Sequence, residues 1–464
     1  MPRARPTSRL LLLSLALAAC REAGPERELL LLVSVDTLRA DHLGAHGSEL
    51  GATPRLDRLA AQSVVFDAAY APSAHTLPSV SALMTGRQPE EIGAVNNDSV
   101  LAAGVPTLAA ELRQAGWRTH AVVSNWVLRR SSGLDAGFDV YDDRFPQLED
   151  TRPMPERLAA DTTAAALREI EACRAASAAP CFVWVHYQDA HGPYTPPGGL
   201  RERFLARERA RPDGRRRLPL RRDFLGLGGI PDYQALGGED EVAFYRAGYA
   251  GEVAYLDEQI GALLAGLGPA GERATLVFTA DHGESLGEQD YWFAHGEYLS
   301  EVLVRVPLWL RVPGVAPGRR RDVATLLDLH ATLLRLATGR PPDPGRPGRD
   351  LLAAGAAERA SPVYLATLGG SNATRFGWIE AGYKYVVTFR DGVWQGQLFR
   401  LGDDTLDLAA PAPQIAATQR ERLAAFRERM SRPEPVTRPD VDRELLRALG
   451  YDASTRERDA EASR

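Results

Sequence analysis

Hydroxyl, carboxylate and imidazole side chains fall at a few spaced points of this 464-residue chain, and together they could cleave an ester. The stretch SAHTLPSVSALMTGRQP, residues 73–89, sets Thr76 two residues ahead of Pro78. Proline suits the start of a helix, where its missing N–H would have no partner anyway. Val80, Leu83 and Met84 recur at helical spacing, so the stretch predicts a helix with Thr76 at its mouth. A hydroxyl there stands beside free backbone N–H groups and the positive end of the helix dipole, which favour an anionic ester. The same pattern fits an ordinary Thr-Pro-Ser cap, so attack by Thr76 depends on what other segments bring to it.

Those segments carry metal-ligand types. Asp36 follows the apolar run 29–35, and Asp189 and His191 follow the apolar run 181–187. Asp281 and His282 follow a third run, 274–279, and His295 lies in a Phe293-Ala294-His295-Gly296 loop. Aspartate and histidine suit Zn²⁺ or Mn²⁺, with Ca²⁺ an alternative. A divalent ion beside Thr76 would lower the hydroxyl pKa and hold an ester oxygen. Asn97, in an Asn96-Asn97-Asp98 loop, reads by itself as a turn residue.

The elements that must position these residues alternate. Continuous apolar runs at 29–35, 119–124, 181–187, 274–279 and 306–312 read as strands buried on both faces. Helical periodicity falls between them, at 53–61, within 73–89, and at 106–115, 155–173, 249–267 and 322–338. The alternation predicts an α/β fold, a mainly parallel sheet sandwiched by helices, with polar residues at the strand ends facing the site. His330, inside the last helix, is read as structural with nothing to pair with it. The arginine-rich stretch 200–238 is read as a surface excursion whose charge is solvated rather than an anion or lipid-head-group patch. Proline and glycine make 339–355 a linker, and Asp391-Gly392 is a hairpin signal within a small antiparallel subdomain. The expected division is a signal at 1–19, a tether at 20–28, a catalytic α/β domain at 29–345, the antiparallel subdomain at 356–408, and a helical segment with tail at 409–464.

Composition narrows the partners. The net charge of −6 gives no general nucleic-acid role. The basic charge is nearly all arginine, with Lys384 the one lysine. Arg3, Arg5 and Arg9 precede a short apolar region, Leu10 to Ala19, that is too short to span a bilayer. It ends in Leu17-Ala18-Ala19-Cys20, which resembles a bacterial lipoprotein signal; a plain secretory signal is the alternative. The first reading implies an exported chain, lipid-anchored through Cys20 to the cell envelope, in the periplasm or at the outer membrane. Cys173 and Cys181 then meet an oxidising compartment, where either a disulfide or two buried thiols is open.

Several stretches in order carry a resemblance: LLLLVSVDTLRADHLGAHG, the Thr76 segment with MTGRQP, YQDAHGPYTPP, TADHGESLGEQDYW and RVPLWLRVPG. Together with GYKYVV, LFRL and ALGY they resemble the sulfatase family of the alkaline phosphatase superfamily, from about Leu29 to Tyr451. The resemblance implies that Asp36, Asp281 and His282 hold a metal, with Thr76 as nucleophile and ligand. It implies that His191 and His295 contact the ester, protonate the leaving group or, with Asp189, hold a second metal. Asn97 matches the position of an oxyanion-binding asparagine in related phosphonate and phosphodiester hydrolases. The chain departs from the formylglycine pattern: Thr76-Leu77-Pro78-Ser79-Val80 stands where C-x-P-S-R or S-x-P-S-R is usual. Asp36-Thr37 replaces the usual Asp-Asp pair, and threonine cannot form the aldehyde. The departures point to direct attack by Thr76 on a sulfate or phosphate ester. Alternatives are a phosphodiesterase or phosphoethanolamine-type transferase acting on a lipid or glycan, and a non-catalytic lipid-anchored binding protein.

Overall fold

The computed structural model describes residues 28–149, 155–176, 178–223, 225–356, 361–368 and 373–438. The proposed signal, Cys20 and most of the tether lie outside the described residues, as does the end of the chain with its ALGY stretch.

A nine-stranded sheet forms the centre. In chain order its strands are β1 (Leu29–Val35), β2 (Val64–Tyr70), β3 (Arg118–Val123), β4 (Val140–Asp142), β5 (Cys181–Tyr187), β6 (Thr275–Ala280), β7 (Arg305–Arg311), β8 (Gly318–Arg320) and β9 (Ala324–Thr325). The path is β8-β2-β7-β6-β1-β5-β3-β4, with β9 also pairing β2. Every pairing is parallel except those of β7, which runs against both β6 and β2. All seven residues of β1 are buried, as its unbroken apolar run requires of a central parallel strand. Val35 pairs with Tyr187 on one side and Ala280 on the other, so Asp36, Gln188 and Asp281 leave the sheet at one level. Four strands fall outside the expected runs: β2, whose apolar run Asp67 interrupts, and the short strands β4, β8 and β9.

The helices are α1 (Pro54–Ala60), α2 (Thr76–Thr85), α3 (Leu108–Gln114), α4 (Ala159–Ala176), α5 (Leu200–Arg209), α6 (Val242–Gly266) and α7 (Leu326–Thr338). The expected helix positions hold to within a few residues at most ends; α6 starts seven residues before the expected 249 and α4 four after 155. α4 packs on β3, β5 and α6, while α2 packs on α7. All ten residues of α2 are buried, and Gly86 ends it in the left-handed conformation. Cys173 and Cys181 are joined by a disulfide that ties the end of α4 to the start of β5.

A second sheet of four antiparallel strands follows: β10 (Val363–Thr367), β11 (Thr374–Glu380), β12 (Tyr383–Arg390) and β13 (Val393–Arg400). Asp391 and Gly392 form its tight hairpin, both at positive φ (51° and 79°). Helix α8 (Pro413–Arg429) covers one face with Leu423 and Phe426. The other face meets the main body through Leu299, Leu303, Val363, Ile379 and Phe399.

Two expectations are corrected. Residues 200–238 are not a loose excursion, because α5 and buried Phe204, Ile230 and Gln234 anchor them. Some of their arginines pair at the surface, Arg209 with Glu241 (2.7 Å), Arg217 with Asp240 (2.6 Å) and Arg221 with Asp223 (2.8 Å), while Arg215, Arg216, Arg217, Arg221 and Arg222 stay solvent-exposed as expected. His330 does have partners: Arg346 Nη1 donates to it at 2.7 Å, and its Nε2 lies 3.5 Å from Glu111 Oε1.

Candidate active site

Three strand ends, one helix mouth and one loop converge. Thr76 is the first residue of α2, and its Oγ1 stands 3.3 Å from His282 Nε2. His282 Nδ1 donates to the Gly283 carbonyl at 2.9 Å, which leaves the Nε2 lone pair facing the hydroxyl. A side chain at Gly283 would run into the Val302 carbonyl, so the turn that presents His282 requires glycine. His282 Nε2 also lies 3.8 Å from Asp36 Oδ1 and 3.6 Å from Asp281 Oδ2.

The two carboxylates are fully buried and share one space. The imidazoles of His186, His191 and His282 outweigh burial and hold Asp36 below the ordinary carboxylate range. Burial and then the charge of Asp36 push Asp281 well above it. Two buried carboxylates this close disfavour joint ionisation, so a proton competes with any cation for the pair. Asp36 Oδ1, Asp281 Oδ2 and His186 Nε2 are all buried with no hydrogen-bond partner. One ligand atom from each of these three residues lies within 4.8 Å of the others. This donor set fits a divalent ion, which would take the place of the proton and satisfy the three orphaned atoms.

His186 is the residue that reading the sequence misses. It lies inside the apolar strand β5, not beyond its end, so its strand looks like plain core. Trp184 Nε1 donates to Ser34 Oγ at 2.8 Å, and Ser34 Oγ lies 2.8 Å from His186 Nδ1. With Nδ1 donating to Ser34, Nε2 presents a lone pair towards Asp36 Oδ2, 3.7 Å away. Ser34 of β1 faces inward beside Asp36 and is the signal that could have exposed the ligand: a hydroxyl and an imidazole at matched positions of two adjacent apolar strands. Asn125 Nδ2 donates to Asp36 Oδ2 from the far side.

His295 and His191 stand on the open side, with ring centres 5.2 Å apart, and His295 lies 4.6 Å from His282. His295 Nδ1 is held by Glu284 Oε1 at 3.1 Å, and Tyr194 donates to Glu284 Oε2 at 3.0 Å. Burial raises Glu284 to about 7, against the opposing pull of His191 and His282. Burial and His282 lower His295 to about 3. His191 Nδ1 donates to the Gly192 carbonyl at 2.7 Å, fixing its tautomer. His75, next to Thr76, packs so closely on Gly296 that a Cβ there would meet His75 Nε2 at 2.7 Å. Asn97 Oδ1 accepts from the Leu77 N–H at 2.9 Å, and its buried NH₂ group has no partner. That amide therefore waits beside the helix mouth with both donors free. Asp189 is the exception among the expected ligands. Its carboxyl takes the backbone N–H of Ala159 at the start of α4 and faces Glu252, because the Asp189–His191 turn sends the two side chains apart.

Backbone strain collects here. Thr37, Ala190 and Phe293 adopt positive φ (52°, 91° and 50°) although none is glycine. Each follows or precedes a site residue by one or two positions, as expected where function over-determines a turn.

The sheet and the site define a sulfatase-like ester hydrolase with the alkaline-phosphatase-like fold, and its buried donor set fits a divalent ion. The chain matches the sulfatase family over residues 28–339 and belongs to it. Choline-sulfatase of Rhizobium meliloti is 26% identical over 465 residues, covering 86% of this chain and 85% of that enzyme. Mouse iduronate 2-sulfatase is 28% identical over 334 residues, covering 61% of this chain and 59% of that enzyme. The phosphonate monoester hydrolase of Agrobacterium radiobacter shares the fold, with a TM-score of 0.67 at 20% identity, covering 89% of this chain and all (100%) of that one.

Proposed function

We propose that this protein hydrolyses an anionic sulfate or phosphate ester with Thr76 as the direct nucleophile. The observation that carries the reading is the Thr76 hydroxyl at the mouth of α2, 3.3 Å from His282 Nε2 and beside the orphaned atoms of Asp36, His186 and Asp281. Those three residues would hold a divalent ion, Zn²⁺ or Mn²⁺ by donor type, with His282 alongside. When bound, the ion supplies Lewis acidity that acidifies the hydroxyl and neutralises ester charge. Thr76 Oγ1 attacks the sulfur or phosphorus atom, its proton leaves towards the imidazole cluster, and the bond to the leaving oxygen breaks. The free Asn97 NH₂ group donates to the developing negative charge on a non-bridging oxygen. His295, oriented by Glu284, passes the proton given up by Thr76 on to the leaving oxygen. Water then attacks the Thr76 ester, His295 takes back a proton, and the threonine is regenerated. A formylglycine has no part, since Thr76 carries the hydroxyl without conversion.

Export and anchoring through Cys20 belong to the same reading, and they put the enzyme on an extracytoplasmic surface. The test of the nucleophile is Thr76→Ala against Thr76→Ser with aryl sulfate, phosphate monoester, phosphodiester and phosphonate substrates and added Zn²⁺, Mn²⁺ or Ca²⁺. Alanine should abolish turnover with melting unchanged, and serine should retain part of it. Near-normal turnover in the alanine variant would reject Thr76 as nucleophile.

A further inference from the structure

The last described residues, Pro435 to Arg438, run back from α8 to the loops around the helix mouth. Pro435 lies against Gly93, with its Cα 3.5 Å from where a Cβ there would stand. Val436 and Thr437 pair antiparallel with Val100 and Ser99. Arg438 follows and is only 1% exposed. Its backbone N–H donates to the Asp98 carbonyl at 3.0 Å, and its Nε to the Ser99 carbonyl at 3.4 Å. Its Nη2 donates to the Val127 carbonyl. One side chain thus joins two loops.

Each of those loops carries an asparagine of the site. Asn97 directly precedes Asp98, and Asn125 begins the single turn Trp126–Leu128, which packs on α2. Asn125 is held at both ends of its amide: Oδ1 accepts from the Val127 N–H at 2.7 Å, and Nδ2 donates to Asp36. The Asn97 amide is tied to α2 by one hydrogen bond, from the Leu77 N–H at 2.9 Å. A single bond lets an amide swing about it, so the aim of the Asn97 NH₂ group depends on the backbone beside it. A two-residue ladder is too short to fix that backbone alone. The guanidinium supplies the rest. Its planar fork sends donors in two directions at once, which an ammonium does not match. Burying that charge carries a desolvation penalty that an apolar side chain of similar volume would avoid. What the arginine adds is a fixed spacing between the loops.

We propose that Arg438 is a positioning residue of the active site: it clamps the Asn97 loop to the turn that Asn125 begins and so aims the Asn97 amide at the mouth of α2. That this aim serves catalysis rests on the hydrolase reading; the clamp itself does not.

The test uses the full chain with Arg438→Ala, Arg438→Lys, Asn97→Ala and the Asn97→Ala/Arg438→Ala double variant. Leu263→Ala, a buried site in the last turns of α6, is the destabilised control with no part in either loop. Kinetics are read on an aryl ester well below every melting point. Arg438→Ala should lower kcat by about 10- to 100-fold with KM nearly unchanged, the effect of displacing a group that acts in the transition state by about 1 Å. Leu263→Ala should keep the wild-type kcat, and Arg438→Lys should recover little. In the Asn97→Ala background, loss of Arg438 should cost less than about threefold, because the group it aims is already gone. Hydrogen exchange reads the clamp without substrate: peptides over 94–101 and 125–129 should exchange faster in Arg438→Ala, and those of α6 should not. Unchanged kcat in Arg438→Ala, an equal loss in Leu263→Ala, full recovery with lysine, or additive costs in the double variant would overturn the positioning role. Unchanged exchange would overturn the clamp. A wild type inert on every ester would fail the hydrolase reading instead, and exchange would still decide the clamp.

Discussion

Replacing His186 with glutamine should cut the protein's response to divalent metal while leaving the fold standing. Glutamine is close in length and can still meet Ser34 Oγ, so the buried hydroxyl and Trp184 keep their hydrogen-bond chain. What disappears is one of the three mutually close ligand atoms. An ion at 100 times its dissociation constant stabilises the native state by about 2.7 kcal/mol. Loss of outer-sphere partners already weakens metal sites by about 10- to 100-fold, and a direct ligand should cost no less than the upper figure. At the same ion concentration the variant would then sit near its own dissociation constant and gain only about 0.4 kcal/mol. The assay is thermal melting of chelated protein with stepwise Zn²⁺ or Mn²⁺. The wild type should climb by several degrees and the variant by a fraction of that, with equal melting of both before metal is added. An equal climb in the two proteins would refute the role given to His186 and, with it, the assignment of the orphaned atoms to a cation.

Three other substitutions probe separate parts. Glu284→Gln should lower kcat by about 10²- to 10⁴-fold with little change in melting, because an amide can donate to His295 Nδ1 and impose the wrong tautomer; steady-state kinetics on an aryl ester would show it, and unchanged kcat would rule the pair out. Asn97→Ala should cost about 10²-fold in kcat and about 1 kcal/mol of stability from the unpaired Leu77 N–H; a stability loss alone would reduce Asn97 to a helix brace. Glu111→Gln tests a pH effect remote from the site. Burial pushes Glu111 up, but the neighbouring His330 and the hydrogen bond from Arg346 overcome it and hold the carboxyl down at about 2. A depressed carboxylate adds stability above its unfolded value, near 4.5, and loses it as pH falls towards 2. The variant should lose about 1 kcal/mol at neutral pH, discounted for solvent access, and its stability should fall less between pH 5 and 2 in denaturant titrations. Parallel pH curves for the two proteins would contradict this.

Much of the scaffold is legible because its strands are buried on both faces and so read as unbroken apolar runs. The Asp-Gly hairpin is legible because few dipeptides tolerate two positive φ values. α2 is legible through Pro78 and the spacing of Val80, Leu83 and Met84, although a helix buried on all sides shows no polar stripe. The site is legible where ligands sit just past strand ends, as at Asp36, Asp281 and His282. It is hidden where a ligand sits inside a strand, as His186 does, because one histidine in an apolar run looks like a core residue. Asp189 misleads for the opposite reason: it lies past a strand end, yet its carboxyl takes the N–H of Ala159 at the start of α4. Glu284 escapes notice because its role exists only once His295 and Tyr194 arrive from other segments. His330 finds its partners in a loop and in α3, two stretches that no local spacing connects.

The Trp184–Ser34–His186 relay crosses two neighbouring strands at the middle of the sheet. Its rigidity is therefore borrowed from the most protected backbone in the molecule rather than from a surface loop. Heating or denaturant should leave the imidazole correctly aimed until the central strands themselves separate, so loss of metal capture and global melting would coincide instead of following one another.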